Sequence, residues 1–251
     1  MNPEQAADRR LSPFVRFSRE EWSRLRTPTF FSLSEGDVGD LRRIAGHLSS
    51  EEATEVYLPL SWLLYLHVSA AQDLYRRAQA FLTQEETEAP YVVGIAGSVA
   101  AGKSTVALVL QALISRWPGS PTVELVSTDG FLYPNRVLQS RGLMDRKGFP
   151  ESYDLPLLLG FLADVKSGSA EASAPIHSHL TYDILPDRVQ AIGRPDVLIV
   201  EGINMLEAGL PEPSDGHRVF VSDYVDFSIY VDAEERHVRQ WYLHRFLRLR
   251  E

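Results

Sequence analysis

One stretch of the chain, residues 91–105, restricts the fold more than any other. An apolar run typical of a β-strand, Tyr91 to Ala96, leads into the pattern Gly-x-x-x-x-Gly-Lys-Ser at 97–104, and helix-forming residues follow from Thr105. The two glycines allow a tight turn whose successive N–H groups point inward, and the start of the helix adds the positive end of its dipole. A strand, a loop and a helix in this order predict a phosphate-binding loop.

Two polar residues of this loop suit the phosphates of a nucleotide. Lys103 supplies a positive charge for the terminal phosphates, and the hydroxyl of Ser104 can bind Mg²⁺. The residues predicted to surround the phosphates are Gly97, Ser98, Val99, Ala100, Ala101, Gly102, Lys103 and Ser104.

Three further apolar runs, at 123–128, 196–201 and 226–232, alternate with stretches of helical pattern. Largely apolar strands separated by helices are typical of a parallel sheet that is covered on both faces. We therefore predict an α/β fold in which ligands bind at the carboxyl ends of the strands.

An acidic residue ends or directly follows each of these runs. Asp129 is the candidate for a general base that accepts the proton of an attacking hydroxyl during transfer of a γ-phosphoryl group. The alternative is a simple turn, because Asp-Gly is a common turn pair. Glu201 follows its strand as an acid that orients Mg²⁺, directly or through water. We interpret Asp232 as a structural residue or as the N-cap of the next helix.

The last predicted helix, residues 234–250, carries Tyr242 and Arg245 three positions apart and therefore on one face. These two side chains could close over a phosphate or a carboxylate. Earlier in the chain, His177 and His179 lie on a segment that reads as extended, so their rings would share one face of a strand. We favour a histidine that hydrogen-bonds to substrate over a zinc site, because the chain has no cysteine to complete a zinc site.

The first part of the chain, residues 1–90, has helical patterns and no visible site chemistry. Ser18-x-x-Glu21 and Ser34-x-x-Asp37 resemble capping boxes, and a longer helix is predicted from Pro59 to about Leu82. We predict a helical N-terminal extension packed on a kinase core formed by residues 91–251.

Composition excludes several classes of partner. The net charge of −9 argues against nucleic acid and against an anionic membrane surface. The most apolar stretch, residues 58–68, is too short to span a bilayer, and Met1 to Arg10 is too polar for a signal peptide. The absence of cysteine suits a cytoplasmic protein.

Eight segments besides the phosphate loop, spread over residues 55–247, make a more specific pattern. They are EVYLPL at 55–60, STDGFLYPN at 127–135, KGFPESY at 147–153, VKSG at 165–168, SHLTYD at 178–183, LIVEGIN at 198–204, VSDYVDFSIYVDA at 221–233 and WYLHRFL at 241–247. With these segments the chain resembles the type I, bacterial pantothenate kinases, which are P-loop kinases related to uridine kinase and phosphoribulokinase.

The resemblance implies a fold, a reaction and a site. The fold is that of P-loop nucleoside triphosphate hydrolases, and ATP phosphorylates the 4′-hydroxyl of pantothenate at the first step of coenzyme A synthesis. The resemblance also implies a homodimer, with Asp129 as base and Ser104 and Glu201 serving Mg²⁺. The pantothenate pocket would be lined by Lys147, His179, Tyr182, Tyr242 and Arg245, and Arg245, with Lys103, would also stabilise the transferring group.

Three departures from the family qualify these expectations. The family often has arginine where Leu108 stands, and that arginine is associated with feedback inhibition by coenzyme A, so we expect weaker inhibition here. His177 occupies a position where tyrosine is usual. Members of the family also continue beyond the point that corresponds to Glu251, with a last sheet strand and a substrate-contacting asparagine, so we expect the C-terminal part of the family domain to be missing.

The sequence is also compatible with two other functions. The phosphate loop and Asp129 would also fit a P-loop kinase for another small hydroxylated metabolite, such as a nucleoside or a sugar phosphate. A non-catalytic ATP-binding module is the second alternative, which the short C-terminus makes conceivable.

Overall fold

The computed structural model describes residues 14–25, 33–45, 48–82, 89–206 and 219–248. The chain divides into two compact units, residues 1–63 and residues 64–251. The assignment of residues 1–90 to one extension packed on a core stays a prediction.

The described part of the first unit begins with three short helices whose starts are capped: α1 (Arg19–Ser23), α2 (Glu35–Ala45) and α3 (Ser50–Glu52). At α1 the Ser18 hydroxyl accepts from the N–H of Glu21 at 3.2 Å, and the Ser18 N–H donates to the Glu21 carboxylate at 2.8 Å. Ser34 and Asp37 make the same exchange at α2. Both predicted capping boxes are therefore confirmed.

A π-helical turn, Ala53–Tyr57, joins α3 to the long helix α4 (Leu58–Leu82). The sequence predicted that this helix starts at Pro59, but the helical path begins earlier. Proline has no N–H to donate, and its ring clashes with the carbonyl group four residues before it in a regular α-helix. The wider turn directly before Pro59 accommodates that ring without ending the helix.

The described residues contain six strands, four of which form a parallel sheet in the order β2-β5-β1-β6. Each predicted apolar run coincides with one of these four strands to within two residues at either end, which confirms the α/β fold. The strands are β1 (Tyr91–Gly97), β2 (Val123–Ser127), β3 (Ser173–Ser178), β4 (Asp183–Ala191), β5 (Val197–Glu201) and β6 (Phe227–Val231).

Helices cover both faces of the sheet. The described helices of the second unit, besides α4, are α5 (Lys103–Ile114), α6 (Asn135–Ser140), α7 (Leu155–Lys166) and α8 (Glu235–Arg248). Helix α5 packs on β1, β2 and β5. On the other face, α7 contributes to a buried cluster with alternate strand residues such as Val92 and Leu198. None of the described helices is both long and apolar enough to cross a membrane.

Acidic residues that precede the strands hold the amino edge of the sheet together. The Asp226 carboxylate accepts from the N–H of Val92 at 2.7 Å and from Lys166 at 2.5 Å. The Asp196 carboxylate accepts from the N–H and the hydroxyl of Thr122 at 2.6 and 2.8 Å. Asp196 and Asp226 thus stand at the start of two of the apolar runs, whereas Asp129 and Glu201 stand at the opposite edge, where β2 and β5 end.

The antiparallel hairpin β3–β4 packs against the 3₁₀ turn Thr128–Phe131, which follows β2. A Cβ atom at Gly130 would lie 2.0 Å from the carbonyl oxygen of Pro175 in β3. The glycine after Asp129 is thus required by the close approach of the hairpin, beyond any preference of an Asp-Gly pair for turns. This approach places the end of the hairpin beside Asp129.

Candidate active site

The phosphate loop follows β1 directly, and its two positions occupied by glycine require that residue for different reasons. Gly97 has a φ of 149°, and a Cβ atom there would lie 2.4 Å from the carbonyl oxygen of Val231 in β6. Gly102 has a φ of 100° but open space around it, so its requirement is purely conformational. Ala100 adopts a left-handed φ of 60° between them. These turns bend the loop back toward the helix start.

Helix α5 begins at Lys103, two residues earlier than the predicted start at Thr105. Its N-cap is Gly102, which provides no side-chain hydrogen bond to the first turn. The ammonium group of Lys103 donates to the carbonyl oxygen of Ser98 at 2.9 Å, across the loop. An uncapped helix start next to this ammonium group is suited to bind an anion.

Ser104 and Glu201 meet at the carboxyl edge of the sheet, as the sequence predicted for residues serving one ion. The Ser104 hydroxyl donates to the Glu201 carboxylate at 3.1 Å, and Glu201 is only 7% exposed. Burial raises the pKa of Glu201, and the negative charge of Asp129 acts in the same direction. Hydrogen bonds from Ser127 and Ser104 and the charge of Lys103 oppose this rise.

Asp129 lies on the 3₁₀ turn after β2, half-buried, and its carboxylate is hydrogen-bonded. The hydroxyl of Tyr153 donates to Asp129 Oδ1 at 3.3 Å. Burial and the charge of Asp129 raise the pKa of Tyr153, so this tyrosine stays protonated and acts as a donor. Ser127, the last residue of β2, pairs with Glu201 in the sheet register, so the turn that carries Asp129 begins beside Glu201.

The two histidines of the hairpin are adjacent but do not share a strand. His177 lies in β3, which ends at Ser178, and His179 lies in the exposed turn that follows. The prediction that both rings lie on one strand face is therefore wrong for His179. Their ring centroids are nevertheless 5.4 Å apart, and the His177 ring lies 5.7 Å from the ring of Tyr182.

His177 is the more enclosed of the two histidines. Both of its ring nitrogens are buried without a hydrogen-bond partner among the residues that the structure describes. Burial lowers its pKa, as do the positive charges of Lys147 and His179, whereas Asp129 and Asp183 act to raise it.

Lys147 follows the 3₁₀ turn Met144–Arg146, and its side chain contacts the turn of the β3–β4 hairpin at the predicted pocket residue Tyr182. Its ammonium nitrogen is 4.1 Å from the centroid of the Tyr182 ring and donates to the Tyr182 carbonyl oxygen at 2.5 Å. Burial lowers the pKa of Lys147, and the charges of Asp183 and Asp129 oppose that shift. The structure thus brings Lys147 and Tyr182 into direct contact.

The predicted lid residues are not brought to the pocket by any contact that the structure describes. Tyr242 is 52% exposed on α8, and it makes no hydrogen bond or ring contact with another described residue. The side chain of Arg245 lies outside the described part of the chain. Asp232 is exposed, and since α8 begins at Glu235 it does not occupy the N-cap position that we considered for it.

Sequence reasoning missed three residues of this neighbourhood: Ser127, Tyr153 and Asn135. Tyr153 and Asn135 stand in two of the segments that carry the family resemblance, but neither belongs to a motif with a chemistry of its own. Their contacts join segments that are far apart in the chain: Tyr153 meets Asp129 on the turn after β2, and Asn135 meets Tyr182 at the hairpin.

The arrangement as a whole combines the parts of a phosphoryl-transfer site. A glycine-bounded loop with a lysine lies beside a buried carboxylate and a hydroxyl, and a second carboxylate lies on the turn against which the hairpin packs. Lys147 provides a cation at the hairpin. Such a site can hold a triphosphate and draw a proton from a hydroxyl group that attacks it.

Comparisons with known proteins agree with this chemistry. The profile of the phosphoribulokinase / uridine kinase family matches residues 92–250. The pantothenate kinase of Parvibaculum lavamentivorans is 52% identical over 240 residues, which cover 96% of this chain and 74% of that protein. The pantothenate kinase of Vibrio cholerae is 52% identical over 241 residues, which cover 96% of this chain and 77% of that protein.

A solved structure supports the fold. The crystal structure described as a fructose transport system kinase from Silicibacter sp. TM1040 has a TM-score of 0.53 and 25% identity, covering 69% of this chain and 81% of that one. The long, high-identity alignments with the two bacterial enzymes go further than this shared fold. The chain belongs to the pantothenate kinases within the phosphoribulokinase / uridine kinase family.

Proposed function

We propose that this protein transfers the γ-phosphoryl group of ATP to the 4′-hydroxyl of pantothenate, the first step of coenzyme A biosynthesis. Relatives named pantothenate kinase that are 52% identical over 96% of the chain support this substrate. The structural observation that supports the proposal is that Asp129 lies on the turn after β2, whose last residue pairs with Glu201 in the sheet, and that the hairpin strand β3 packs against this same turn.

In the proposed mechanism, residues 97–104 hold the phosphates of ATP through inward-facing N–H groups. Lys103 exchanges its contact with the Ser98 carbonyl for the terminal phosphates. Asp129 accepts the proton of the 4′-hydroxyl as that oxygen attacks the γ-phosphorus, and the bond to the β-phosphate oxygen breaks to leave ADP. Arg245 is proposed to join Lys103 in stabilising the transferring group.

Mg²⁺ is proposed as the cofactor, with Ser104 and Glu201 as the residues that serve it. A hydroxyl and a carboxylate that meet at 3.1 Å beside the phosphate loop are a donor set of oxygens, which is the kind that Mg²⁺ prefers. When bound, Mg²⁺ neutralises charge on the nucleotide's phosphates. Glu201 must be ionised for this role, although burial favours its protonated form.

The pantothenate pocket is proposed to lie at the turn of the hairpin. Pantothenate carries a carboxylate, and a cation held by neutral groups is a suitable partner for it. Lys147 meets this description, because both oxygens to which it donates are neutral. The residues proposed to line the pocket are Lys147, His179, Tyr182, Tyr242 and Arg245.

A comparison of acceptor substrates tests the proposal. Purified protein with ATP and Mg²⁺ is given pantothenate or uridine, and ADP and the phosphorylated product are measured. We expect product with pantothenate and only background with uridine. Product with uridine alone would favour a kinase for another small hydroxylated metabolite, and ATP binding without any acceptor-dependent ADP would favour a non-catalytic binding module.

We further propose that the protein is a cytoplasmic homodimer in which α4 forms part of the interface. Leu66, Leu74 and Phe81 are spaced by about two helical turns, so they lie on one face of α4. They are 46, 70 and 86% exposed, and an exposed apolar stripe along one helix face is the kind of surface that a partner covers. Light scattering should give a dimer mass, and replacing Leu74 and Phe81 by glutamate should give a monomer.

Coenzyme A is proposed as a weak feedback inhibitor. Leu108 lies partly buried on α5, one turn beyond the phosphate loop, where the family often carries arginine. A leucine cannot pair with the phosphates of coenzyme A, so we propose that inhibition is weaker than is usual in the family.

A further inference from the structure

Asn135, the first residue of α6, contacts the proposed pocket with three of its polar groups. Its N–H donates to Asp183 Oδ1 at 2.9 Å, and its side-chain Nδ2 donates to the carbonyl oxygen of Tyr182 at 3.1 Å. Its side-chain Oδ1 accepts from the ammonium group of Lys147 at 2.8 Å. One asparagine thus joins a helix start, the turn of the hairpin and the pocket lysine.

The turn that Asn135 contacts has a backbone that needs support. Tyr182 has a φ of 53°, in the left-handed region that residues other than glycine rarely adopt. Such a conformation persists where surrounding contacts fix it. The Tyr182 carbonyl receives two of these contacts, one from Asn135 and one from Lys147.

The asparagine side chain is uncharged, and for the charge of Lys147 this is as important as its position. Lys147 donates to two neutral oxygens, and no carboxylate within the described residues lies at ion-pair distance from it. The positive charge of Lys147 is therefore oriented without being neutralised by a direct partner. An aspartate of the same shape at position 135 would place a negative charge directly on the ammonium group.

We propose that Asn135 is a positioning residue of the acceptor pocket. Its amide oxygen orients the Lys147 ammonium group, and its amide nitrogen holds the hairpin turn at Tyr182. Together these contacts keep an unneutralised cation in place for the anionic end of the acceptor while the hydroxyl end reaches Asp129. This inference rests on the proposed function, because it takes Lys147 as a ligand of the acceptor's carboxylate.

Steady-state kinetics of three variants tests the role. Asn135→Ala should raise the KM for pantothenate about tenfold, the usual effect of losing a hydrogen bond to a charged group, and leave the KM for ATP unchanged. Asn135→Asp should raise it at least as much, although the aspartate matches asparagine in shape. Arg136→Ala, at the exposed neighbouring position, is the matched control and should change neither constant.

A double-mutant cycle distinguishes positioning through Lys147 from a general loss of structure. In a Lys147→Met background, Asn135→Ala should change the KM for pantothenate by less than twofold. Fully additive effects, an equal rise in the KM for ATP, or an Asn135→Asp variant with wild-type KM would overturn the proposal.

Hydrogen exchange of the hairpin amides separates this inference from the proposed function, because it needs no substrate. Faster exchange at residues 182–184 in Asn135→Ala, but not in Arg136→Ala, supports the positioning role, and unchanged exchange overturns it. A wild-type protein that fails to phosphorylate pantothenate would count against the proposed function alone.

Discussion

The hydroxyl of Tyr153 donates to Oδ1 of Asp129 at 3.3 Å, and within the described part of the chain this is the only hydrogen bond that the carboxylate accepts. Tyr153 is buried, and its raised pKa keeps it protonated, and therefore a donor, at neutral pH. One oxygen of the candidate base is thus fixed by the protein, and the other is available to a substrate hydroxyl.

Removal of this one hydroxyl should slow catalysis. A hydrogen bond to a charged group contributes about 1.5–3 kcal/mol, so we expect Tyr153→Phe to lower kcat about tenfold or more. The KM for ATP should stay the same, because the nucleotide contacts are elsewhere. Tyr230→Phe, on an exposed face of β6, is the control. Wild-type kcat in Tyr153→Phe would show that the contact does not orient the base.

Replacing Glu201 by glutamine should stabilise the metal-free protein and abolish activity. Because burial raises the pKa of Glu201 in the folded state, its contribution to stability is full below the unfolded pKa of about 4.3 and is lost as the pH rises through the folded value. At pH 7, well above the unfolded value, burial of the charged carboxylate therefore destabilises the wild type. We expect Glu201→Gln to have a Tm higher by a few degrees at pH 7, measured without nucleotide or Mg²⁺.

The advantage of Glu201→Gln should shrink as the pH falls and vanish below the unfolded pKa of about 4.3, where the wild-type carboxyl group becomes protonated in both states. A variant that melts below the wild type at pH 7 would mean that the hydrogen bonds from Ser127 and Ser104 outweigh desolvation.

His177 should make the stability of the protein depend on pH in the opposite direction to Glu201. Its pKa is lowered in the folded state, so the stability present above the unfolded value of about 6.5 is lost as the pH falls through the lowered folded value. We expect thermal melting of His177→Phe to lack this loss, and to show a higher Tm at pH 8, because the replacement removes two buried nitrogens without partners. Parallel pH profiles of the two proteins would contradict this account.

The Leu108→Arg substitution should strengthen inhibition by coenzyme A. A guanidinium group added one turn beyond the phosphate loop can form charge-assisted hydrogen bonds with phosphates. We expect the concentration of coenzyme A for half-inhibition to fall about tenfold or more, with Leu108→Met as the apolar control. Potent, ATP-competitive inhibition of the wild type would show that this position does not set the strength of feedback.

The sequence predicted those parts of the site that lie at the carboxyl ends of strands. Gly97, Asp129 and Glu201 each follow an apolar run, and parallel strands bring their carboxyl ends to one edge. In the sheet register Ile95 and Ser127 both pair with Glu201, so the three strands that carry these residues end at the same edge. The phosphate loop was predictable for the same reason, since its residues are consecutive.

Contacts that depend on the packing of distant segments could not be predicted in this way. Tyr153 reaches Asp129 from 24 residues away, and Lys147 reaches the Tyr182 carbonyl from 35 residues away. No sequence periodicity predicts contacts between segments so far apart in the chain. His179 was placed on a strand because its neighbours read as extended, but β3 ends at Ser178 in a turn whose shape depends on Asn135.

The most direct test of the central claim is the rate of 4′-phosphopantothenate formation by Asp129→Asn, in a protein whose Tm shows that it is folded. The asparagine keeps the shape of the side chain and an acceptor for Tyr153, but it cannot take the proton of the hydroxyl. We predict that kcat falls by roughly two to four orders of magnitude while ATP still binds. Turnover at the wild-type rate in the folded variant would contradict the assignment of Asp129 as the base.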